Sequence, residues 1–496
     1  MAAQAPKVSR LSQSPNAIRD YIRVINTTEP ERSAHMGVMA MTFAGDTLVA
    51  YNPYHKLLPA SNTKLISTGL ALNELGADYK FSTSIGYSGT IQDGVLNGDL
   101  YIIGGGDPTL ASKDSITTYI DGFFAKWYTA MKDAGIRRIS GHIIGDGRFF
   151  DGPIESDSWE YSDLGTYYGT GGDGLCFYRN TQDIKVQAGA KVGDPVKWEV
   201  DYPQTPWMRY YFPCTTGRKG SGDNLYLYTT DLSTIAEMRG SFAIDRAPTK
   251  EECSNKYGAR TCAHYFGEYL RKYSVVAEKG IADIDSEGYI REDLLLRTRA
   301  GKAVPQEDLT VLTTTYSPTL KKIAKMTNWR SDNFYAETLL RILSRERTGS
   351  ACYDSCQVAE TRAIEKIGVD PSYGAHIVDG SGLARNNYIS PDFFCRYLRA
   401  MMNTDVFEDF VGTLQQPGQG SYSARLQNDP ISVKSRIYMK SGSMGGVRCF
   451  SGYIVPSDGG KEDTIVFSVL VNNYTGPSWK IMGQIDRIIA MLAGMN

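Results

Sequence analysis

Leu57-Leu58-Pro59-Ala60-Ser61-Asn62-Thr63-Lys64-Leu65, running on to Leu75, is the stretch on which the fold of this 496-residue chain turns. Leu65, Thr68, Gly69, Leu72 and Leu75 make a largely apolar stripe at helical spacing, which predicts a helix over residues 61–75. Ser61 then stands at the helix N-terminus, with Lys64 one turn on and on the same face. A serine hydroxyl is nearly inert unless a neighbour accepts its proton. A lysine amine can accept it once burial and nearby cations lower its pKa. A helix start also turns backbone N–H groups toward any negative charge that develops there.

Two further short motifs follow in order, Ser331-Asp332-Asn333 and Lys440-Ser441-Gly442. The first precedes an amphipathic helical pattern at 334–347. There Ser331 can relay a proton to a leaving amine, while Asn333 can hold a substrate amide and the Lys64 side chain. The second ends a strand-like run at 437–440 and is followed by Gly445-Gly446. Lys440 supplies a cation that depresses the pKa of Lys64, and with Ser441 it can bind a terminal carboxylate. Gly442 lets an extended peptide approach the backbone, and the Ser443 N–H can complete an oxyanion hole.

Around these motifs the pattern changes twice. Residues 17–25 have helical apolar spacing, and runs at 35–44 and 47–51 flank the Gly45-Asp46 turn as a hairpin. Residues 81–298 carry short alternating runs, Gly-Asp turns and dense tyrosine (Tyr167-Tyr168, Tyr210-Tyr211, Tyr226, Tyr228). Helical patterns return at 318–326, 334–347 and 359–367, then strands at 437–440, 447–455 and 464–472, then a helix at 478–492. The expected class is α+β and multidomain: a discontinuous catalytic domain (1–80 and 299–496) of antiparallel sheet flanked by helices, interrupted by a β-rich inserted region (81–298) of two subdomains.

Composition narrows the partners. The 53 basic and 55 acidic residues leave a net charge of −2, and no basic run could track phosphates, so nucleic acid is not expected. No apolar stretch reaches the ~18 residues needed to span a bilayer. Ala2-Ala3-Gln4-Ala5 is similar to the small-residue stretch at a signal-peptidase site, so a removed signal peptide is expected, a cytosolic start being the alternative. Eight cysteines allow local disulfides at Cys253/Cys262 and Cys352/Cys356 if the compartment oxidises, or free core thiols. No zinc-type spacing occurs and no metal or cofactor is expected. The composition is equally compatible with a monomer and a dimer.

The motif set S-x-x-K, S-D-N and K-T-G belongs to penicillin-binding proteins and class A β-lactamases. With Gly98-Asp99-Leu100-Tyr101, Gly104-Gly105-Gly106-Asp107-Pro108-Thr109-Leu110 and Asp379-Gly380-Ser381-Gly382-Leu383-Ala384-Arg385, the chain resembles the class C low-molecular-mass penicillin-binding proteins of the D-Ala-D-Ala carboxypeptidase/endopeptidase type over roughly residues 20–490. Ser441 replaces the usual threonine and keeps the hydroxyl. The resemblance implies a penicillin-binding/β-lactamase-like serine transpeptidase domain in a periplasmic setting, peptidoglycan peptides as substrate and β-lactams as covalent inhibitors. It also implies an acidic contact from the inserted region to the free amine of a diaminopimelate side chain. Asp146 is the candidate, a turn aspartate capping its own backbone being the alternative. The 270 positions from Ser61 to Ser331 exceed a compact β-lactamase, and no E-x-x-L-N segment follows Asn333. A Ser/Lys esterase, D-aminopeptidase or β-lactamase, and a peptidoglycan-binding protein without catalysis, are the competing readings. The tyrosines read as sheet surface and core, or as a platform for sugars.

Overall fold

Ile465–Asn472 reads Ile-Val-Phe-Ser-Val-Leu-Val-Asn, β-branched and apolar on both faces, and is buried along its whole length as the central strand of a five-stranded antiparallel sheet. The sheet runs Thr47–Tyr51, His35–Thr42, Ile465–Asn472, Val447–Ile454, Ile437–Met444. The structure, a computed structural model, describes residues 14–294, 298–458 and 460–495. The Ala2-Ala3-Gln4-Ala5 stretch lies outside them.

Two terminal helices cover one face of this sheet. Pro15–Ile25 is capped by Ser14, whose hydroxyl accepts the Ala17 N–H at 3.3 Å, and it buries Ile18 and Ile22. Ser478–Ala493 buries Ile481, Ile485 and Ile488 at i, i+4, i+7 against Val38, Phe467 and Val469. Each such side chain contributes about 1.5–3 kcal/mol by leaving water. The opposite face meets Lys64–Leu75 and Pro391–Met401. There Asn62 donates to Ser451 Oγ at 2.8 Å, Tyr453 donates to the Leu398 carbonyl at 2.9 Å, and Tyr397 reaches the Leu65 carbonyl at 3.3 Å.

The chain divides into two compact units. The first comprises Met1–Glu74, Ala324–Asp332 and Glu360–Asn496, and the second Leu75–Ile323 and Asn333–Ala359. These limits differ from those expected at 80 and 299. The physical reason is pairing: Thr310–Tyr316 is a strand hydrogen-bonded to Ser82–Tyr87, which draws residues beyond 298 into the second unit.

Within the second unit a mixed sheet runs Ile281–Asp283, Ile143–Asp146, Leu100–Gly104, Ser82–Tyr87, Thr310–Tyr316. Leu100–Gly104 and Ile143–Asp146 are parallel and need a crossover, which the helix Ile120–Asp133 supplies. That helix and Gly258–Arg271 were not expected in a stretch read as strands and turns. Their signal was present in Phe123, Phe124, Trp127 and Met131, and in Ala259, Cys262, Phe266 and Leu270, all spaced for one helical face and all buried. A separate core of Ile184, Val186, Leu227, Met238 and Phe242 lies beneath the smaller sheets between residues 181 and 254.

All eight cysteines are free thiols. Cys253 lies in the strand Thr249–Ser254 and Cys262 inside a helix, both buried, so the local pair the sequence allowed does not form. Cys352 lies 3.3 Å from Ser350 Oγ and 3.2 Å from Ser355 Oγ, while the Cys356 thiol turns inward toward the Ala351 carbonyl at 3.6 Å, so that expected pair does not form either. Among the described residues no helix is long and apolar enough to cross a membrane.

Candidate active site

Ser61 lies in a single 3-10 turn, Ala60–Thr63, and the α-helix proper begins at Lys64. The tighter turn keeps the expected i, i+3 relation: Lys64 Nζ lies 2.9 Å from Ser61 Oγ. Lys64 is fully buried and its amine also donates to the Ser381 carbonyl at 2.7 Å. Ala60, just before the nucleophile candidate, has φ +45°, a left-handed conformation that costs energy for a residue with a Cβ. Thr63 Oγ1 donates to the Ala60 carbonyl at 3.0 Å and holds that turn.

The Gly-rich loop 379–385 forms the floor under Lys64, whose amine meets the loop's Ser381 carbonyl. The buried Asp379 carboxylate accepts from the Gly382 N–H at 2.8 Å, the Ala384 N–H at 2.7 Å and Asn387 Nδ2 at 2.8 Å. Gly382 has φ +81°, and a Cβ there would stand 1.9 Å from the Ala60 carbonyl oxygen, so only glycine fits. Ser381 was therefore missed for a plain reason: it acts through its backbone carbonyl, which leaves no side-chain signature.

Lys440, Ser441 and Gly442 lie in mid-strand, because Ile437–Met444 continues beyond the expected end at 440 and pairs Gly442 with Cys449 and Ser443 with Arg448. Lys440 is buried and donates to Ser331 Oγ at 3.0 Å and to the Ser441 carbonyl at 2.8 Å. Burial, and behind it the charge of Lys64, hold the Lys440 ammonium well below the ordinary lysine range. Ser331 sits between the helices Leu320–Arg330 and Asn333–Thr348 with φ +56°, a second strained residue at the same site.

Ile437–Met444 is the last strand of its sheet, and its outer edge is partly occupied. The Met439 N–H donates to the Gln415 carbonyl at 3.0 Å and the Ser441 N–H to Tyr422 Oη at 2.6 Å, both away from the neighbouring strand. N–H groups two residues apart on an antiparallel strand face the same side, so the Ser443 N–H faces this edge too. A cavity of about 690 Å³ joins these groups, lined by Ser61, Trp329, Ser331, Tyr422, Lys440, Ser441 and Ser443 among others. Tyr422 is pushed up to about 12 by burial and keeps its proton.

Gly442 packs against the turn that carries Ser61. A Cβ there would lie 2.3 Å from the Pro59 carbonyl oxygen and 3.2 Å from Ala60 Cβ. Gly442→Ala is expected to destabilise by about 1–3 kcal/mol and, by displacing Ser61, to lower kcat/KM on the order of 10²-fold. Thermal midpoint and turnover measured together check this; a variant unchanged in both contradicts it.

Asn333, the first residue of its helix, is grouped with the second unit, where its Nδ2 donates to the Tyr168 carbonyl at 3.0 Å. That carbonyl is one of five in succession held by side chains. Lys256 Nζ donates to Gly169 and Thr170 at 2.7 and 3.3 Å, Asn180 to Gly171 at 3.2 Å, and Arg341 to Gly172 at 2.6 Å. Of the two readings of Asp146, a substrate contact and a turn aspartate capping its own backbone, its contacts match the second: Oδ1 accepts the Arg148 N–H at 3.1 Å. It is fully buried at the end of a strand, and its carboxylate is taken by Arg148, at 3.0 and 2.8 Å, and by Gln306 Nε2 at 3.2 Å. In this structure both carboxylate oxygens are buried and occupied by Arg148 and Gln306 rather than turned toward solvent.

Comparison with known proteins places this geometry in context. The family model described as the D-Ala-D-Ala carboxypeptidase 3 (S13) family matches residues 22–492. A D-alanyl-D-alanine carboxypeptidase from an Actinomadura species is 26% identical over 480 residues, covering 93% of this chain and 82% of that protein. A D-alanyl-D-alanine carboxypeptidase from Haemophilus influenzae is 23% identical over 460 residues, covering 90% of this chain and 87% of that one. Among solved structures, penicillin binding protein 4 from Haemophilus influenzae superposes with a TM-score of 0.76 at 20% identity, covering 96% of this chain and 98% of its own. The mixed α+β fold is that of this solved protein.

Proposed function

Because the chain belongs to the D-Ala-D-Ala carboxypeptidase 3 (S13) family and is a serine peptidase, we propose that it cleaves D-Ala-D-Ala peptides of peptidoglycan through an ester on Ser61. The observation that carries this reading is a pair of contacts, Lys64 Nζ to Ser61 Oγ at 2.9 Å and Lys440 Nζ to Ser331 Oγ at 3.0 Å, with Ser61, Ser331 and Lys440 lining one cavity.

Lys64, as the neutral amine, takes the Ser61 proton while Oγ attacks the carbonyl carbon of the penultimate D-alanine. The N–H groups of Ser61 and Ser443 receive the oxyanion. The tetrahedral adduct collapses, the C–N bond breaks, and Ser331, beside Lys440, relays to the departing amine nitrogen the proton that Lys64 took from Ser61, which returns Lys64 to its neutral form. Lys440 and Ser441 hold the terminal carboxylate and Asn333 a substrate amide. Water then adds to the ester, Ser61 recovers its proton, and the shortened peptide leaves. A β-lactam presents the same carbonyl without a diffusible leaving group, so its ester persists and the protein is inhibited. Cleavage beyond the same D-alanine in a cross-bridge uses the same groups, which extends the reading to an endopeptidase. Peptidoglycan as substrate implies a site of action outside the cytoplasm.

An acyl-D-Ala-D-Ala peptide incubated with the protein is expected to yield free D-alanine in one-to-one ratio with the shortened peptide. Hydrolysis of a simple ester or an amino-terminal D-residue, without D-alanine release from this peptide, would instead favour the esterase or D-aminopeptidase readings.

A further inference from the structure

Of the tyrosines that set the inserted region apart, Tyr211, Tyr226 and Tyr228 share one face of a small sheet, while Tyr210 turns to the core on its other side. In the three-stranded sheet of Arg209–Tyr211, Ile235–Arg239 and Tyr226–Tyr228, Tyr211 and Tyr228 both stand opposite Glu237, and Tyr226 stands opposite Arg239. Residues directly opposite share a face, so these three rings lie on one side. The alternate residues Leu227, Ala236 and Met238 fill the core on the other. Tyr211 is 68% and Tyr226 49% exposed, and Tyr161, 56% exposed, joins them with its ring 5.2 Å from that of Tyr228.

Large rings held in water on a sheet are costly unless they have a use. Tyr211 and Tyr228 are separated by one strand, so they stand two strand spacings apart, about 10 Å. Between them Glu237 and Arg239 form an ion pair at 2.9 Å, with the guanidinium 4.4 Å from the Tyr228 ring. The surface thus offers flat rings, phenol hydroxyls, a carboxylate paired with one guanidinium, and a second guanidinium, the exposed Arg209 opposite Ile235. A polyol with apolar C–H faces that also carries carboxylates matches it: the faces stack on rings, the hydroxyls bridge the Glu237–Arg239 pair and a carboxylate meets Arg209. A protein partner would need aliphatic surface, and Ile235 is the aliphatic member of this face.

We propose that this face binds the glycan strand of peptidoglycan, so that the enzyme holds the polymer by its sugars while cleaving its peptides. The proposal rests on the reading of the site as a peptidoglycan peptidase and names the second half of its substrate. The same stretch of tyrosines includes Tyr168, whose carbonyl accepts the amide of Asn333.

The test uses the full chain with Tyr211→Ala, Tyr226→Ala and the double variant. Binding is measured to peptide-free strands of alternating N-acetylglucosamine and N-acetylmuramic acid, and turnover on a soluble acyl-D-Ala-D-Ala peptide and on the same peptide carried by such strands. Each ring removed is expected to weaken strand binding about 2- to 12-fold and to raise KM on the glycan-borne substrate by the same factor, with the soluble peptide unaffected. Absence of strand binding by the parent protein, equal binding by the variants, or parallel losses on both substrates would overturn the proposal. So would a change in sedimentation on substitution, which would mark the face as a contact between copies of the chain. Absence of turnover on either substrate would count against the peptidase reading alone, since strand binding is measured independently.

Discussion

Ser61→Ala is expected to abolish D-alanine release, with kcat falling on the order of 10⁴–10⁶-fold, while the fold survives. The hydroxyl is the atom that becomes the ester oxygen, and it lies 2.9 Å from Lys64 Nζ. Stability is held elsewhere. The turn is fixed by the Thr63 bond to the Ala60 carbonyl and by the Asn62 bond to Ser451, and Lys64 keeps the Ser381 carbonyl at 2.7 Å. Losing one hydrogen bond at a partly exposed serine costs about 0.5–1.5 kcal/mol. Turnover and thermal melting of the same preparation separate the two effects; a folded variant with substantial activity would remove Ser61 from the mechanism.

Lys64→Met is expected to lower the acylation rate about 10²–10⁴-fold, the range for loss of a positioned proton acceptor, and to leave slow labelling by penicillin detectable. It should also alter how stability depends on pH. In the parent protein the buried Lys440 has its pKa lowered by burial first and by the Lys64 charge second. Between that lowered value and the ordinary lysine value of about 10.4, the unfolded chain binds more protons at this position than the folded one, so stability rises with pH through the window. Removing Lys64 removes the second cause, raises the lowered value and narrows the window. Melting temperatures across neutral to alkaline pH check this; an identical pH dependence in parent and variant would show that the two amines do not interact.

Much of the site was legible because its chemistry is local. The Ser61–Lys64 contact follows from a three-residue spacing, and the buried strand Ile465–Asn472 from its apolar residues, most of them β-branched, on both faces. What escaped the sequence acts through the backbone or through distant pairing. The Ser381 carbonyl under Lys64 carries no residue-type signal, and the glycine at 382 reveals its purpose only beside the Ala60 carbonyl. The sequence leaves Asp146 with two readings because an acidic turn residue looks the same whether it faces solvent or a partner, although Arg148 two positions on is a visible candidate for that partner. The inserted region hid two helices because its tyrosines and Gly-Asp turns outweighed the apolar spacing of Phe123, Trp127 and Met131.

The account stands on a covalent ester at one hydroxyl, and the direct measurement is the intact mass of the protein after exposure to benzylpenicillin, followed by peptide mapping. The predicted result is the addition of one penicilloyl group per chain, carried entirely by the peptide containing Ser61. An unmodified mass at saturating penicillin, or an adduct on any other residue, would contradict it.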